Sequence, residues 1–313
     1  MDENPPREAE FDHFADALIE RVRALGHPLC VGLDPHLDQI PAIFRRGSMA
    51  PGDPETSAVV EEFLAAVLDR VAGRVAIVKP QIAFFEQLGW RGLRVLDGLC
   101  AKARSGGLQI LLDAKRGDIG STARGYAAAY LTRGAAMPVD ALTINPYLGF
   151  DTIEPFAEAA RGAGRGLFVL VRTSNPGSAD LQDRDVGGEP LFGRVAAGLA
   201  NLSNGMIGSK TGWSSLGVVC GATWPDQARR VREALPNALF LVPGYGAQGA
   251  SASAAVQGFR PGPKGLEGGI VNSSRAILFP AAGSQTADIK VWETAVDTGL
   301  DAAIEDLAEA VRT

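Results

Sequence analysis

The sequence alternates short apolar runs with longer amphipathic segments along most of its length. Between the runs, apolar residues recur at spacings of three and four, as in helices that pack on a sheet. No polar linker divides the chain, and this alternation is typical of parallel strands joined by helices. The eight apolar runs are residues 28–32, 75–78, 108–112, 140–144, 167–171, 216–220, 239–242 and 269–271. We therefore predict an α/β protein, a single-domain (β/α)8 barrel (the TIM-barrel fold) with N- and C-terminal helices.

A doubly wound open sheet is the alternative architecture, because the number of strands is hard to predict from a sequence. No GxGxxG motif follows the first apolar run, which argues against a dinucleotide-binding sheet. In the barrel interpretation residues 1–313 form one domain. Residues 1–27 are an N-terminal helical extension whose helix ends at Gly26, and residues 281–313 contain a C-terminal helix. Asp53 followed by Pro54 predicts the start of another helix.

Two connections are long for this fold, residues 40–56 and residues 244–268. Residues 244–268, between the seventh and eighth runs, hold seven glycines and two prolines and have few apolar anchors. Long loops without secondary structure of their own are often functional. We predict that residues 244–268 form a mobile lid that binds phosphate.

Composition excludes several classes of partner. The chain has 313 residues, of which 46% are hydrophobic and 21% charged, and this is enough for a large core. Its net charge is −6 with no dense basic run, so we expect neither a nucleic acid nor a membrane surface as partner. The three cysteines, Cys30, Cys100 and Cys220, are scattered, and the first residues are acidic and polar, unlike a signal peptide. We expect a soluble protein of the reducing cytoplasm.

Three charged residues lie in the stretch LLDAKRGDIGST at residues 111–122. Asp113 and Lys115 directly follow the third apolar run, and Asp118 comes three residues later. Residues two apart in a strand point the same way, so Asp113 and Lys115 should share one face. Charges at the end of a buried strand are costly unless they pair or do chemistry. One interpretation is a salt bridge with a helix N-cap at Asp118 or Ser121, and the other is a carboxylate–ammonium–carboxylate array at the mouth of the barrel.

Other polar residues also follow predicted strands, where the active sites of such barrels lie. Each has a purely structural explanation as well. Asp34 could be a turn residue before Pro35, and Lys79 could bury its stem and extend its ammonium to water. A different functional interpretation of Lys79 is a Schiff-base lysine. Residues 174–177 could be a simple turn, and the glycines of residues 244–249 could only permit a tight loop. The polar residues at strand ends are Asp34 (first strand), Lys79 (second), Ser174 (fifth), Gln248 (seventh) and Arg275 (eighth).

Six motifs in order give the chain a family resemblance. D-x-K-x-x-D at residues 113–118 is followed by Ile119 and Thr122. The others are VGLDP at residues 31–35, VKP at 78–80, SNPG at 174–177, GYGAQG at 244–249 and NSSR at 272–275. Together they resemble the orotidine 5′-phosphate decarboxylase family, in its longer bacterial branch, and they span most of the chain.

The resemblance implies decarboxylation of orotidine 5′-phosphate to UMP and CO2, the last step of de novo pyrimidine synthesis, without cofactor or metal. By this resemblance, Lys115 is the cation and proton donor, Asp113 and Asp118 flank it, and Lys79 holds Asp113. The alternatives are a metal-dependent sugar-phosphate decarboxylase of the related barrel group, which carries an acidic metal ligand in place of Lys79, and a non-catalytic barrel that binds phosphate ligands. His13, His27 and His36 form no metal-ligand pattern.

The resemblance also implies the binding residues. Asp34 would contact the ribose and Ser174 the pyrimidine. Phosphate would bind at the loops after strands seven and eight, through Gln248 and Arg275. In a homodimer, Asp118 and Thr122 would belong to the neighbouring subunit's site. The other expected substrate-binding residues are Ile119, Pro243, Tyr245 and Ser274. The tryptophans are typical of core or surface packing, and the sequence leaves the role of Trp90, Trp213 and Trp224 open.

Overall fold

Eight parallel strands close into a barrel in the computed structural model, which describes residues 12–246 and 249–312. Each strand pairs with the next along the barrel, and β1 closes the ring by pairing with both β2 and β10. The predicted (β/α)8 barrel is confirmed, and the open-sheet alternative is wrong. The barrel strands are β1 (Leu29–Leu33), β2 (Ile77–Pro80), β3 (Gln109–Arg116), β4 (Ala141–Ile144), β5 (Gly166–Arg172), β6 (Ser214–Cys220), β7 (Ala238–Val242) and β10 (Gly269–Ser273).

Helices connect the strands and flank the barrel at both ends of the chain. They are α1 (Phe14–Leu25), α2 (Pro54–Val71), α3 (Ala83–Glu86), α4 (Gly89–Ser105), α5 (Gly120–Tyr130), α6 (Glu154–Ala163), α7 (Ala179–Gln182), α8 (Leu191–Gly198), α9 (Ala200–Asn204), α10 (Pro225–Ala234), α11 (Ala252–Ala255), α12 (Arg275–Leu278) and α13 (Ile289–Arg312). Among the described residues, no helix combines the length and apolar character needed to cross a membrane.

Two predicted helix boundaries follow from local chemistry. α2 begins where Asp53 caps it, accepting a hydrogen bond from the Glu55 N–H at 2.9 Å, and Pro54 occupies the first helical position. α1 ends at Gly26, whose left-handed backbone (φ 79°) suits glycine. Both boundaries were predicted and are confirmed.

The lumen of the barrel is filled and its amino-terminal end is closed. One apolar cluster joins lumen residues such as Ile77 and Phe168 to the buried face of α1. The Phe14 ring meets Phe168 edge-on, with 6.1 Å between ring centroids. Since α1 covers this end, the carboxyl-terminal ends of the strands are left for a functional site.

The segment between β7 and β10 has more internal structure than predicted. It contains α11 and an antiparallel hairpin of β8 (Arg260–Gly262) and β9 (Gly265–Glu267). Val256 and Phe259 are buried, as are both ends of α11. The expectation of few apolar anchors is therefore wrong for residues 252–268, because these side chains pack against the barrel. The phosphate-binding lid at residues 244–268 stays a prediction.

Buried polar contacts hold the hairpin to the barrel. Arg232 is buried and donates to the carbonyls of Gly258 and Gly268, while its guanidinium lies 4.0 Å from the centroid of the Phe240 ring. Glu267 of β9 accepts from Arg23 of α1 and, at 3.0 Å, from the Trp213 indole. Trp213 thus has a structural role.

Candidate active site

A cavity of about 740 Å³ opens at the carboxyl-terminal ends of the strands. Its walls come from residues that follow almost every strand of the barrel, so that distant parts of the sequence converge on it. The sequence-predicted residues that line it are Asp34, Lys79, Asp113, Lys115, Ser174, Pro243, Tyr245, Ser274 and Arg275.

Lys79 and Asp113 form a buried ion pair at the floor of the cavity. The Lys79 Nζ lies 3.1 Å from Asp113 Oδ2 and 4.0 Å from Asp34 Oδ1. Burial lowers the pKa of the Lys79 ammonium, but the carboxylates of Asp34 and Asp113 more than offset this and raise the pKa above its ordinary value. A Schiff-base lysine needs a lowered pKa, so the geometry favours the charge-pairing interpretation of Lys79.

Asp113 is the centre of the charge array. Its Oδ2 accepts from Lys79 and from Gln81 Nε2 at 3.0 Å, and its Oδ1 accepts from Lys115 Nζ at 2.6 Å and from Thr143 Oγ1 at 2.9 Å. Burial raises the pKa of the Asp113 carboxyl, but the two ammonium groups outweigh burial and hold the pKa below its ordinary value. Asp113 is therefore a fixed anion at neutral pH.

Lys115 presents its ammonium to the open part of the cavity. Its side chain is 45% exposed, whereas that of Lys79 is 6% exposed. The shared face predicted for Asp113 and Lys115 is confirmed by their ion pair. The local backbone is not a regular strand, because the pairing of β3 with β4 shifts between Leu112 and Arg116. Lys115 itself has φ 48°, a left-handed conformation that is rare outside glycine.

Asp34 has an unused acceptor in the cavity wall. Its Oδ1 is buried and accepts no hydrogen bond from the described residues. The Lys79 ammonium at 4.0 Å compensates its charge but is too far away to hydrogen-bond it, so the site suits a ligand that brings a hydroxyl donor. Gly32, two residues before Asp34, permits this packing, because a Cβ there would lie 1.9 Å from Ser274 Oγ.

Asp118, Ile119 and Thr122 lie outside the cavity formed by this chain. Asp118 is half-buried, and its Oδ1 accepts from the Ile119 N–H at 2.8 Å. Ile119 is 62% exposed, and Thr122 is exposed in the first turn of α5. One barrel therefore assembles Asp113 with Lys115 but does not bring Asp118 to them. The alternative interpretation, with a helix N-cap at Asp118 or Ser121, is wrong, because α5 begins at Gly120, its N-cap position is Ile119 and no described side chain caps it.

Ser174 lies in a loop that hydrogen bonds hold in place. The Thr173 N–H donates to Gln182 Oε1 at 2.9 Å, and Gln182 Nε2 donates to Thr173 Oγ1 at 2.9 Å. Gly221 touches the loop from β6, since a Cβ there would lie 2.8 Å from the Ser174 Cα. The residues after β5 thus form an ordered wall with polar groups, and are more than a surface turn.

A fully buried arginine anchors the same loop. The Arg172 guanidinium lies 4.0 Å from the centroid of the Trp224 ring. It donates to Asp183 Oδ2 at 2.8 Å and to Ser178 Oγ, and the Trp224 indole donates to the Thr173 carbonyl at 3.0 Å. Trp224, whose role the sequence left open, therefore supports the loop that carries Ser174.

The opposite wall is made by the loops after β7 and β10. Arg275 is exposed at the start of α12, and its guanidinium forms no ion pair or hydrogen bond with the described residues. The Tyr245 hydroxyl donates to Asp306 Oδ2 of α13 at 2.6 Å. Gln248 lies outside the described residues. An exposed arginine beside the glycines of residues 244–246 is a suitable place for an anion.

Several residues of the site were missed by the sequence analysis. Gln81 lies two residues beyond Lys79, so the two side chains point the same way, and this spacing could have predicted Gln81 as a residue of the site. His36 and Phe84 also line the cavity, with 4.5 Å between their ring centroids. Thr143 had no sequence signal, because its contacts depend on how β4 lies against β3.

The fold and the site together define a class of enzyme. A (β/α)8 barrel places a buried lysine–aspartate pair, a second accessible ammonium and an exposed arginine around one cavity, an arrangement suited to an enzyme acting on an anionic, phosphorylated ligand. In residues 12–246 and 249–312, no three His, Cys, Asp or Glu side chains are arranged to hold a metal ion.

Comparison with known proteins narrows this class to a family. The model of the orotidine 5′-phosphate decarboxylase / HUMPS family matches residues 27–288. The chain is 41% identical to the orotidine 5′-phosphate decarboxylase of Rhodopirellula baltica over 292 residues, covering 90% of this chain and 95% of that protein. It is also 41% identical to the enzyme of that name from Deinococcus radiodurans over 266 residues, covering 85% and 89%.

A solved structure agrees with these relatives. The OMP decarboxylase of Leishmania donovani superposes with a TM-score of 0.72 at 30% identity, covering 96% of this chain and 98% of that one. The chain therefore belongs to the orotidine 5′-phosphate decarboxylase / HUMPS family, and the resemblance predicted from the motifs is confirmed.

Proposed function

We propose that this protein decarboxylates orotidine 5′-phosphate to UMP and CO2, the last step of de novo pyrimidine synthesis, without a cofactor or metal. The observation that carries the proposal is the Lys115 ammonium, held 2.6 Å from Asp113 and open to the cavity, within the motif that the family resemblance assigns to catalysis. The protein is accordingly a carboxy-lyase.

The reaction needs a cation where negative charge develops. When the bond between C6 of the pyrimidine and the carboxylate breaks, CO2 leaves and the electron pair stays at C6. A preorganised Lys115 ammonium stabilises this pair and then donates a proton to C6, which gives UMP. Asp113 faces the departing carboxylate and holds Lys115, while Lys79 keeps Asp113 ionised.

Substrate binding is divided among the walls of the cavity. We assign a ribose hydroxyl to Asp34, whose buried Oδ1 has no donor among the described residues, and the pyrimidine to Ser174. The phosphate falls to Arg275, to Gln248 and to the loop that begins at residue 244. Because the phosphate is remote from the reacting bond, its binding energy can close the loop and assemble the site. The remaining contacts fall to Pro243, Tyr245 and Ser274 on the same wall.

We also propose a homodimer in which Asp118, Ile119 and Thr122 complete the neighbouring subunit's site. Two observations support it. Asp118 lies outside its own cavity, and large apolar side chains stand exposed on the adjoining loops. Tyr147 is 75% exposed, and the others are Ile119, Leu148 and Phe150. Such a patch beside a site is typical of a surface covered by a partner.

Mixing two inactive variants tests the shared site. Lys115→Ala and Asp118→Asn should each be nearly inactive alone. A mixed dimer would hold one site with both changes and one with neither. Random exchange makes about half of the dimers mixed, so about a quarter of all sites should be intact. If kcat per site after joint refolding does not exceed the sum of the separate variants, with mixed dimers confirmed by mass, each barrel uses its own Asp118.

An absorbance assay tests the reaction itself. Purified protein with orotidine 5′-phosphate should show loss of the orotate absorbance and formation of UMP, with the same rate in EDTA. Activity abolished by EDTA and restored by a divalent metal would instead indicate the metal-dependent decarboxylase. Tight UMP binding without turnover would indicate a non-catalytic binding barrel. A cytoplasmic location is a further proposal, supported by the three unpaired, buried cysteines.

A further inference from the structure

The Thr143 hydroxyl lies at the junction between Asp113 and Lys115. Thr143 belongs to β4 and is fully buried. Its Oγ1 donates to Asp113 Oδ1 at 2.9 Å. The same oxygen accepts from the N–H groups of Ala114 and Lys115, each at 2.9 Å. One donor and two acceptor positions are all that a hydroxyl offers, so this group is completely used.

These contacts coincide with the irregular part of β3. The β3–β4 register shifts between Leu112 and Arg116, which releases the N–H groups of Ala114 and Lys115 from regular strand pairing. Lys115 at φ 48° adopts a left-handed conformation that is strained for a non-glycine residue and persists only where the surroundings enforce it. The Thr143 oxygen binds both N–H groups and so stabilises this conformation.

We propose that Thr143 is a positioning residue for the decarboxylation. Its hydroxyl fixes the backbone bulge that aims the Lys115 ammonium and at the same time orients the Asp113 carboxylate. Thr143 does not line the cavity, so it acts through these two residues and not on the substrate. The inference rests on the proposed catalytic role of Lys115.

The hydroxyl can be removed with little change of shape. Thr143→Val keeps the volume but leaves two buried N–H groups without their acceptor. Displacing a reacting group by about 1 Å costs about 100-fold in rate, so we expect kcat to fall by about that factor, with the Kd for UMP within about threefold of wild type. Thr143→Ser keeps the hydroxyl and should retain kcat within about tenfold.

Hydrogen exchange separates positioning from general destabilisation. In Thr143→Val, amide exchange should accelerate in peptides that cover residues 113–117 and stay unchanged in the other strands. The matched control is Thr56→Val, which removes another fully buried hydroxyl, one that donates to the Ala50 carbonyl at 2.8 Å and belongs to neither the cavity lining nor the charge array. Its kcat should equal that of wild type. If Thr143→Val does not fold, Thr143→Ala replaces it, with a kcat at least about tenfold below that of Thr143→Ser.

Two results would overturn the inference. One is a Thr143→Val or Thr143→Ala enzyme with wild-type kcat, whether or not UMP binding is weakened, and the other is an equal loss of kcat in the Val and Ser variants. Lys115→Ala, assayed beside them, separates this inference from the assignment on which it rests. An inactive Lys115→Ala with a fully active Thr143→Val refutes only the role of Thr143. An active Lys115→Ala refutes the catalytic role of Lys115 itself.

Discussion

Replacing Lys79 by methionine should uncouple the charge array and cost the protein stability. Methionine keeps the length and the apolar stem of the side chain but removes the ammonium. At an effective dielectric constant of about 20, one ammonium attracts a carboxylate by about 5 kcal/mol at 3.1 Å and about 4 kcal/mol at 4.0 Å, the separations of Lys79 from Asp113 and Asp34. The desolvation of the ammonium offsets part of this attraction.

The net effect is smaller than the Coulomb energies. Removing one partner of a buried ion pair costs about 3–5 kcal/mol, because the other charge is left uncompensated. Methionine recovers some apolar burial, and Lys115 still neutralises Asp113 in part. We therefore expect the free energy of unfolding of Lys79→Met to fall by about 3 kcal/mol at neutral pH.

The pH dependence of this loss identifies its cause. In the wild type, the pKa of Asp113 lies below its ordinary value of 3.8, so its stabilisation is complete above 3.8 and is lost as the pH falls through the lower folded-state pKa. In Lys79→Met, burial is opposed by fewer cations, and the folded-state pKa of Asp113 rises. The variant then loses less stability on acidification, so the difference in the free energy of unfolding between wild type and variant should become smaller as the pH falls below 3.8.

Urea unfolding at about pH 7 and about pH 3, above and below the ordinary pKa of 3.8, measures both free energies. The matched control is Lys102→Met, which breaks an exposed ion pair with Asp69 at 2.6 Å and should cost less than about 1 kcal/mol with little pH dependence. A Lys79→Met loss no larger than that of the control, or one that stays constant between the two pH values, would refute the coupled charge array.

Four further predictions test other parts of the molecule. Lys115→Ala should abolish turnover and leave UMP binding measurable; retention of most of the kcat excludes it as proton donor. Arg275→Ala should raise KM strongly and lower kcat/KM, because weaker phosphate binding weakens closure of the site. In the wild type, added phosphite should partly restore turnover of a substrate that lacks its phosphate; equal activity on the phosphorylated and bare nucleosides would refute the phosphate site. Arg172→Leu should raise KM through the loop that holds Ser174, measured by steady-state kinetics; an unchanged KM contradicts this. Burial raises the pKa of Glu267, but Arg23 and the Trp213 indole outweigh burial and hold the pKa below 4.5. Glu267→Gln should therefore be destabilising above about pH 4.5 and progressively less destabilising below it. A pH-independent difference in the free energy of unfolding, measured with urea, refutes this.

The repeating pattern of strands and helices was determined by the sequence itself. Strand and helix periodicities are local, so the apolar runs at residues 75–78 and 216–220 predict buried strands from those residues alone. The carboxyl ends of those strands must meet at one face of a barrel, which placed Lys79, Asp113 and Ser174 in a common site before the structure was known. The motifs carried the family resemblance for the same reason, since each is a short, continuous string.

Only the tertiary structure decided which groups pair within the site. The contacts of Thr143 with Asp113 and Lys115 depend on the register between β3 and β4, a relation between segments about 30 residues apart that no local pattern encodes. The stacking of Arg172 on Trp224 likewise needs two loops to meet. The position of Asp118 is another example of what the sequence alone could not decide. Its spacing from Lys115 suggested one array, and the family resemblance placed it in the neighbouring subunit's site. In the structure the chain turns out of β3 before Asp118, because packing sets the backbone direction at a strand end.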